Sequence, residues 1–194
     1  MGKTFLLVLC FILLSTDESV GQNFDLYVLT NGQMVKGSQS TFEDDLILYP
    51  EVNLGFRFLQ NHRIRLALSR ISATSYESLT SGNESGTELR LRGYPLAIEY
   101  QYDFFDQFAF KWFLKTSLTI LPLKDQWESD TAPEEVQSTN IGASFGFGAE
   151  NYISDRIGIY TAVNYRLIMN NDERPPQYIH VDGVYAQLGL IFKI

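Results

Sequence analysis

Cysteine is nearly missing from this sequence, since the only one, Cys10, lies among the first 21 residues. If those residues are removed on export, no thiol is left for disulfides, thiolate metal sites or cysteine catalysis. Long apolar runs are also missing, because after residue 21 no stretch approaches the roughly 18 apolar residues of a membrane-spanning helix. Basic residues are in deficit, and the formal net charge of −8 argues against nucleic-acid binding.

The first 21 residues have the pattern of an export signal. Lys3 gives a positive start, residues 5–14 are an unbroken apolar run, and the small residues Ser19 and Gly21 precede Gln22. A run of this length is too short to cross a bilayer as a helix. We therefore expect a cleaved signal peptide over residues 1–21 and a single domain over residues 22–194.

The rest of the chain has strand-like alternation and many aromatic residues. Apolar and polar residues alternate with a period of two from about Leu46 onward, which predicts β-strands. One face of residues 108–121 carries Phe110, Trp112, Leu114 and Leu118, and the other carries Lys115. With 14 Phe, 11 Tyr and 2 Trp, the chain can also supply the aromatic girdles of a membrane barrel.

Connection lengths suggest how these strands are arranged. The short connections are residues 60–62, 104–107 and 154–156, and the long ones are residues 78–87, 124–138 and 171–182. Short periplasmic turns that alternate with longer outside loops are typical of transmembrane barrels. We therefore predict an all-β fold, an eight-stranded antiparallel up-and-down transmembrane β-barrel. Its crossings are residues 24–35, 46–59, 63–77, 88–103, 108–121, 141–153, 157–170 and 183–194.

Two points of this prediction are open. Asn31-Gly32 is a strong hairpin signal that could divide the first crossing into two short strands. Unbroken alternation would also point Arg70 into lipid. This costs about 2 to 4 kcal/mol of stability when the arginine lies near the midplane. We expect a β-bulge near Ser69 to relieve this by moving Ile71 and Ala73 onto the lipid face.

Charge is distributed unevenly between loops and strands. The four predicted outside loops, residues 37–45, 78–88, 124–138 and 171–182, hold thirteen acidic and two basic residues. This pattern is typical of solvated loop tips. A sharper alternative is that divalent cations are held by loop carboxylates, namely Asp125, Glu128, Asp130, Glu134 and Glu135.

The inward faces of the predicted strands carry charges of both signs. An eight-stranded barrel is just wide enough for side chains, so these charges should pair and form a structural polar network in the lumen. The predicted network consists of Glu51, Arg57, Arg63, Arg65, Glu99, Lys111, Lys115, Glu150 and Arg166. A narrow or gated pore is the alternative.

Catalytic signals are weak. His180 could act with Asp182 or Glu173 in a lipid A-modifying enzyme, but the segment from Gln177 to Asp182 contains no serine and does not match the deacylase motif. Gly146-Phe147-Gly148 lacks the rest of a dinucleotide fingerprint. We predict no catalytic residue, no metal site and no cofactor.

These features together resemble the small OmpA/OmpX-type outer-membrane β-barrel domain. The resemblance covers residues 24–194 and includes a C-terminal strand like the sorting signal of that family, although Ile194 stands where an aromatic residue is usual. It implies a Gram-negative cell outer membrane, periplasmic chaperones and the outer-membrane assembly machinery during biogenesis, and a monomer.

We expect a non-enzymatic structural or surface-interaction protein whose acidic outside loops meet lipopolysaccharide or external partners. Arg90 and Arg92, near the outer end of their strand, are candidate lipopolysaccharide contacts, with pairing to loop carboxylates as the alternative. Two other functions stay open, a narrow porin-like channel and a soluble periplasmic lipocalin-like barrel. The soluble barrel would shield Trp112 and expose Lys111.

Overall fold

The computed structural model describes residues 24–37, 45–76, 88–107, 110–128, 133–169 and 179–194. Within these ranges no helix is long and apolar enough to cross a membrane. The signal peptide predicted over residues 1–21 lies outside the described residues.

The described residues form eleven strand segments that make eight crossings of one sheet. Three crossings consist of two segments each, namely β3 with β4, β5 with β6, and β10 with β11. In chain order the segments are β1 (Phe24–Gly37), β2 (Asp45–Leu59), β3 (His62–Ser69), β4 (Ile71–Tyr76), β5 (Glu88–Gly93), β6 (Leu96–Gln107), β7 (Phe110–Glu128), β8 (Pro133–Tyr152), β9 (Ile157–Met169), β10 (Ile179–His180) and β11 (Gly183–Lys193).

The sheet closes on itself. Successive crossings pair antiparallel along the chain, and β1 also pairs with β11 from Asp25–Lys193 to Gln33–Tyr185. Closure pairs the backbone groups of the first and last strands, as a barrel in lipid requires. The predicted eight-stranded antiparallel barrel is confirmed.

The first crossing is one continuous strand. β1 runs through Asn31 and Gly32, and both residues pair with β2 on one side and β11 on the other. The Asn31 amide points inward and donates to Glu51 Oε2 at 3.0 Å. Ladders on both sides outweigh the local turn preference of an Asn-Gly pair.

Outward side chains are apolar over most of the barrel height, and we name this zone the apolar belt. On β7, Leu114 and Leu118 are 52% and 69% exposed, whereas Lys115 between them is 3% exposed. A water-soluble barrel needs the opposite arrangement, so this phase contradicts the lipocalin-like alternative. Trp112 and Lys111 were proposed as markers, but both are half-buried and do not distinguish a membrane barrel from a soluble one. The exposure of Leu114, Lys115 and Leu118 on the same strand does.

Aromatic side chains surround the end of the barrel that has the short turns. The rings of Trp112 and Phe147 stack with centroids 5.2 Å apart, and those of Phe24 and Phe56 are also 5.2 Å apart. Such a girdle is what an interface between lipid and water favours. We call this the short-turn end and the opposite end the outer end.

At the outer end, strands β7 and β8 are longer than the sequence pattern predicted. Most of residues 124–138, predicted as a loop, belongs to β7 and β8, which pair from Lys124–Gln137 to Glu128–Pro133. Polar outward side chains here do not end the strands, because this part of the sheet lies beyond the apolar belt.

The predicted β-bulge near Ser69 is wrong. Ser69, Ile71 and Ala73 all point inward and Arg70 points outward, so the alternation continues unbroken. Arg70 does not lie at the bilayer centre, because it is one row closer to the outer end than the nearest apolar row of outward side chains. That row consists of Leu68, Leu96, Ile120 and Ile141.

Three prolines lie at about this level on neighbouring crossings. The carbonyl of Pro50 accepts from Arg70 N at 3.3 Å, that of Pro95 from Ser69 N at 3.0 Å, and that of Pro122 from Tyr94 N at 3.3 Å. A proline has no N–H to donate in return. The interruptions between β3 and β4 and between β5 and β6 fall at this proline row because the ladder is weakened there.

The barrel interior changes character near the proline row. On the short-turn side, buried side chains are mostly polar or charged. Toward the outer end a buried apolar cluster occupies the interior beside four buried polar side chains, Gln33, Asp125, Ser138 and Asn140. Each strand keeps its phase. On β4, β5 and β7 the outward face is polar at this level, whereas on β1 and β2 the outward side chains of Met34, Leu46 and Leu48 are still apolar. We name this cluster the apolar cap, which consists of Val35, Ile47, Tyr49, Ile71, Ala73, Leu91, Leu121, Leu123, Ile179 and Val181.

Candidate functional site

Arg63 is the centre of the polar lumen nearest the short-turn end. Its guanidinium is fully buried and faces three carboxylates, with Nη1 2.7 Å from Glu150 Oε1, Nη2 2.8 Å from Asp103 Oδ2, and Nη1 3.5 Å from Asp25 Oδ2. Nη1 also donates to the Tyr27 hydroxyl. The charge is held from several strands at once, which ties the wall of the barrel together.

A second group of charges lies one layer toward the outer end. Arg65 Nη2 is 2.9 Å from Glu99 Oε2 and donates to the Tyr160 hydroxyl at 3.0 Å. The Arg65 guanidinium lies over the ring of Tyr27, 4.8 Å from its centroid. Lys115 approaches Glu99 Oε1 to 3.3 Å. Charge pairing and cation–π contacts both offset the desolvation of these cations.

A third layer lies directly beneath the apolar cap. Glu51 accepts hydrogen bonds from the amides of Asn31 and Gln187 at 3.0 and 2.9 Å. Arg166 donates to the Tyr49 hydroxyl at 3.2 Å, and its guanidinium lies 4.5 Å from the centroid of the Tyr185 ring. Amides and phenols are therefore the main partners of the charges in this layer.

The structure brings most of the predicted network into the lumen. Arg57 and Lys111 lie half-buried at the short-turn end, with Arg57 Nη2 3.7 Å from Asp25 Oδ2. The buried members are Glu51, Arg63, Arg65, Glu99, Lys115, Glu150 and Arg166.

Asp25 and Asp103 also belong to the lumen but were absent from the prediction. Asp103 shares the inward parity of Glu99 and Gln101, so alternation alone could have identified it. Asp25 had no such signal, because the first strand was located only by counting crossings.

Four basic side chains form a strip on the outside of the wall at the outer end. We name Arg70, Arg90, Arg92 and Lys124 the basic strip. Arg92 pairs across the sheet with Ser72 on β4 and with Lys124 on β7, one row beyond Arg70 and Tyr94. All four side chains are exposed or half-buried and point away from the lumen. The strip therefore follows the outer border of the apolar belt on one side of the barrel.

Glu135 on β8 partly neutralises this strip. Lys124 Nζ lies 2.7 Å from Glu135 Oε1, and the amides of Gln126 and Gln137 donate to the same carboxylate at 2.9 and 3.2 Å. These bonds, that from Lys124 foremost, lower the pKa of Glu135 to about 2. The carboxylate is thus ionised at neutral pH and competes for Lys124.

The described acidic residues of this hairpin do not form one cation site. Asp125 points inward and is buried, whereas Glu135 points outward on the opposite side of the wall. Within the described ranges, no three histidine, cysteine, aspartate or glutamate side chains converge as metal ligands. The side chains of Glu128, Asp130 and Glu134 lie outside the description.

His180 and Asp182 lie on the outward face at the outer end. His180 Nδ1 is 3.2 Å from Asp182 Oδ1, and both side chains are substantially exposed. Such a pair can orient an imidazole, but acyl transfer by a triad also needs a nucleophile. Glu173, the other carboxylate considered for this role, lies outside the described residues.

Closed walls, outward apolar side chains and a polar lumen define the fold of a small outer-membrane β-barrel. Solved structures of this class match most of the chain. Neisserial surface protein A has a TM-score of 0.58 at 15% identity, covering 88% of this chain and 97% of that chain. Ail, the attachment invasion locus protein of Yersinia pestis, has a TM-score of 0.55 at 11% identity, covering 88% and 98% respectively.

A third match is outer membrane protein H of Pseudomonas aeruginosa, with a TM-score of 0.55, 16% identity, and coverage of 89% of this chain and 99% of that chain. No protein-family model and no curated protein matches the sequence. The predicted resemblance to small outer-membrane barrels is therefore confirmed at the level of the fold.

Proposed function

We propose that this chain is a non-enzymatic integral protein of the outer membrane that acts at the cell surface. The observation that carries the proposal is the sequence of outward rows, which are apolar through the belt and then basic at Arg70, Arg92 and Lys124. The buried charges of the lumen support a structural role, because they form ion pairs between different strands of the wall.

Membrane residence is tested first, by fractionation of the cells that make the protein. We expect it in the outer-membrane fraction, with faster gel mobility before boiling than after, because the closed hydrogen-bonded barrel resists unfolding by detergent at room temperature. Recovery as a soluble periplasmic protein would contradict the proposal.

The partner we propose for the basic strip is the phosphate groups of lipopolysaccharide. Arg92 stands just beyond the apolar rows, which is the height of the phosphates of a lipid whose acyl chains cover the belt. A guanidinium can form two parallel hydrogen bonds to one phosphate. Lys124 would assist as a point charge, although Glu135 competes for it.

Replacing Arg92 by glutamine is expected to weaken binding of purified lipopolysaccharide about five- to tenfold, because one charge-assisted contact is lost at an exposed site. Binding of fluorescent lipopolysaccharide to the folded protein in detergent measures the change. Glu135→Gln should act in the opposite direction, since Lys124 is then available to phosphate.

Arg156→Gln supplies the matched control. Arg156 is exposed in the turn between β8 and β9, at the other end of the barrel, and its loss should leave the affinity unchanged. Dephosphorylated lipopolysaccharide should bind equally to the wild type and to the Arg92 variant. Equal effects of the Arg92 and Arg156 variants would show that net charge, not position, governs binding.

The acidic outside loops are the second part of the proposed surface role. Most of their residues lie outside the described ranges, so this part rests on the composition of the chain. Like charge at the loop tips would repel polyanions and direct phosphate contacts to the basic strip below them.

A further inference from the structure

Two layers of different chemistry lie in series along the lumen. The layer on the short-turn side contains the charged groups centred on Arg63, Arg65 and Arg166. The apolar cap follows toward the outer end, and Ile71, Leu91 and Leu121 in it are fully buried. Any solute or water that passed through the barrel would have to cross both layers, and either one could be the seal.

The charged layer does not satisfy its own polar atoms. Among the described residues, buried nitrogen atoms without a hydrogen-bond partner include Nε of Arg63, and Nε and Nη1 of both Arg65 and Arg166. Buried polar groups that lack a protein partner are ordinarily satisfied by internal water. The charged layer therefore has the chemistry of a hydrated space.

The geometry of this layer agrees with hydration. A small cavity of about 10 Å³ lies beneath the apolar cap, and its polar lining includes Glu51, Glu99, Ser117, Arg166 and Tyr185. A site of this size with several polar partners suits about one water molecule. At the short-turn end, Arg57 and Lys193 are only half-buried, so the layer borders solvent on that side.

The apolar cap has the opposite chemistry. Its ten members are at most 5% exposed and, Tyr49 excepted, have no hydrogen-bonding side chains. The buried polar side chains at this level, Gln33, Asp125, Ser138 and Asn140, lie on the wall around them. Apolar constrictions exclude water and ions by dewetting, without a charged gate. The cap also lies at the level where the wall itself is weakened by Pro50, Pro95 and Pro122.

We propose that the apolar cap seals the barrel against the outside, and that the charged network below it is a water-accessible vestibule open to the short-turn side. This goes beyond the proposed surface function and holds independently of what the basic strip binds. It assigns the barrier to packing in the cap and not to the ion pairs.

Accessibility of a single thiol tests the proposal. In a Cys10→Ser background, Ser117→Cys places the only thiol in the vestibule, since Ser117 is buried below the cap. The protein is inserted into lipid vesicles, where the short turns cross the bilayer and the long loops stay outside. Ag⁺ is added outside or enclosed within, and unreacted thiol is then alkylated after unfolding and measured by mass.

We expect Ag⁺ enclosed in the vesicles to block this thiol and external Ag⁺ to leave it free. Adding Leu91→Ser and Leu121→Ser should make the thiol react from outside at least tenfold faster. Two variants with exposed thiols report which end of the barrel faces the vesicle interior. They are Ser154→Cys in a short turn and Gln137→Cys at the outer end. Heat-modifiable gel mobility verifies that each variant is folded.

Three results would overturn the proposal. Reaction from outside with the cap intact would show that the cap does not seal, and protection from inside would show that the network itself excludes ions. A folded Leu91→Ser/Leu121→Ser variant whose thiol stays protected from outside would assign the barrier elsewhere. The first two results need no change in the cap, so they decide the matter even if the double variant does not fold.

Discussion

Replacing Arg63 with alanine is expected to lower the free energy of unfolding by about 3 to 5 kcal/mol, the range for breaking a buried ion pair from one side. The substitution leaves the carboxylates of Glu150, Asp103 and Asp25 facing one another without the cation between them. Glu150 is fully buried, so its carboxylate without the Arg63 cation is an uncompensated buried charge.

Urea unfolding in lipid vesicles, followed by tryptophan fluorescence and by gel mobility, measures this loss. The matched control is Arg57→Ala, because Arg57 also faces Asp25 but is partly exposed at the end of the lumen. Its loss should cost less than about 1 kcal/mol. Equal costs at the two positions would show that burial does not govern these ion pairs.

A double-mutant cycle separates the Arg63–Glu150 pair from the rest of the network. Glu150→Gln alone should also destabilise the barrel, because Arg63 then loses one of the carboxylates that compensate its buried charge. The double variant should lose less than the sum of the two single losses by about 1 kcal/mol or more, as expected for groups in contact. Additive losses would mean that the pair is not coupled.

The second large effect is expected at Gly189, on the seam that closes the barrel. Gly189 pairs with Leu29 across the β1–β11 ladder. A Cβ at this position would clash with the carbonyl oxygen of Val28 and lie 2.7 Å from the Cα of Leu29. Both are backbone atoms of the neighbouring strand, so no side-chain rotation relieves the overlap.

Gly189→Ala should therefore cost about 3 kcal/mol, the upper end of the usual range for overpacking, and reduce the yield of folded barrel. The same urea titration and gel assay report both quantities. Gly32→Ala is the control on the partner strand, since its Cβ would meet only the flexible Leu48 Cδ2, at 3.3 Å. Its stability should stay within about 0.5 kcal/mol of the wild type. Similar losses at both glycines would contradict the steric explanation.

The alternation of the sequence predicts the barrel well wherever one face meets lipid. Leu114, Lys115 and Leu118 are assigned correctly from parity alone, because a period-two pattern fixes side-chain direction along a strand. Short and long connections then give the direction of each crossing. Ion-pair partners are harder to predict, since Arg63 and Glu150 meet only through the register of several strands.

Hydrophobicity misled on β4 at the outer end, where the environments of the two faces are exchanged. Ile71 and Ala73 were predicted to face lipid because they are apolar, yet there the interior is apolar and the exterior is polar. Hydrophobicity alone cannot give the direction of a side chain beyond the apolar belt. For the same reason the charged residues of 124–138 resembled a loop.

β7 and β8 carry the sheet well past the bilayer. β7 has 19 residues and β8 has 20. At about 3.3 Å per residue and a tilt of about 40°, a strand of this length rises about 50 Å along the barrel axis. The apolar band of such a barrel is about 25 Å tall. The outer ends of β7 and β8 therefore project beyond the apolar belt. If the belt lies in the outer membrane as proposed above, a molecule approaching the cell would meet them before reaching the lipid.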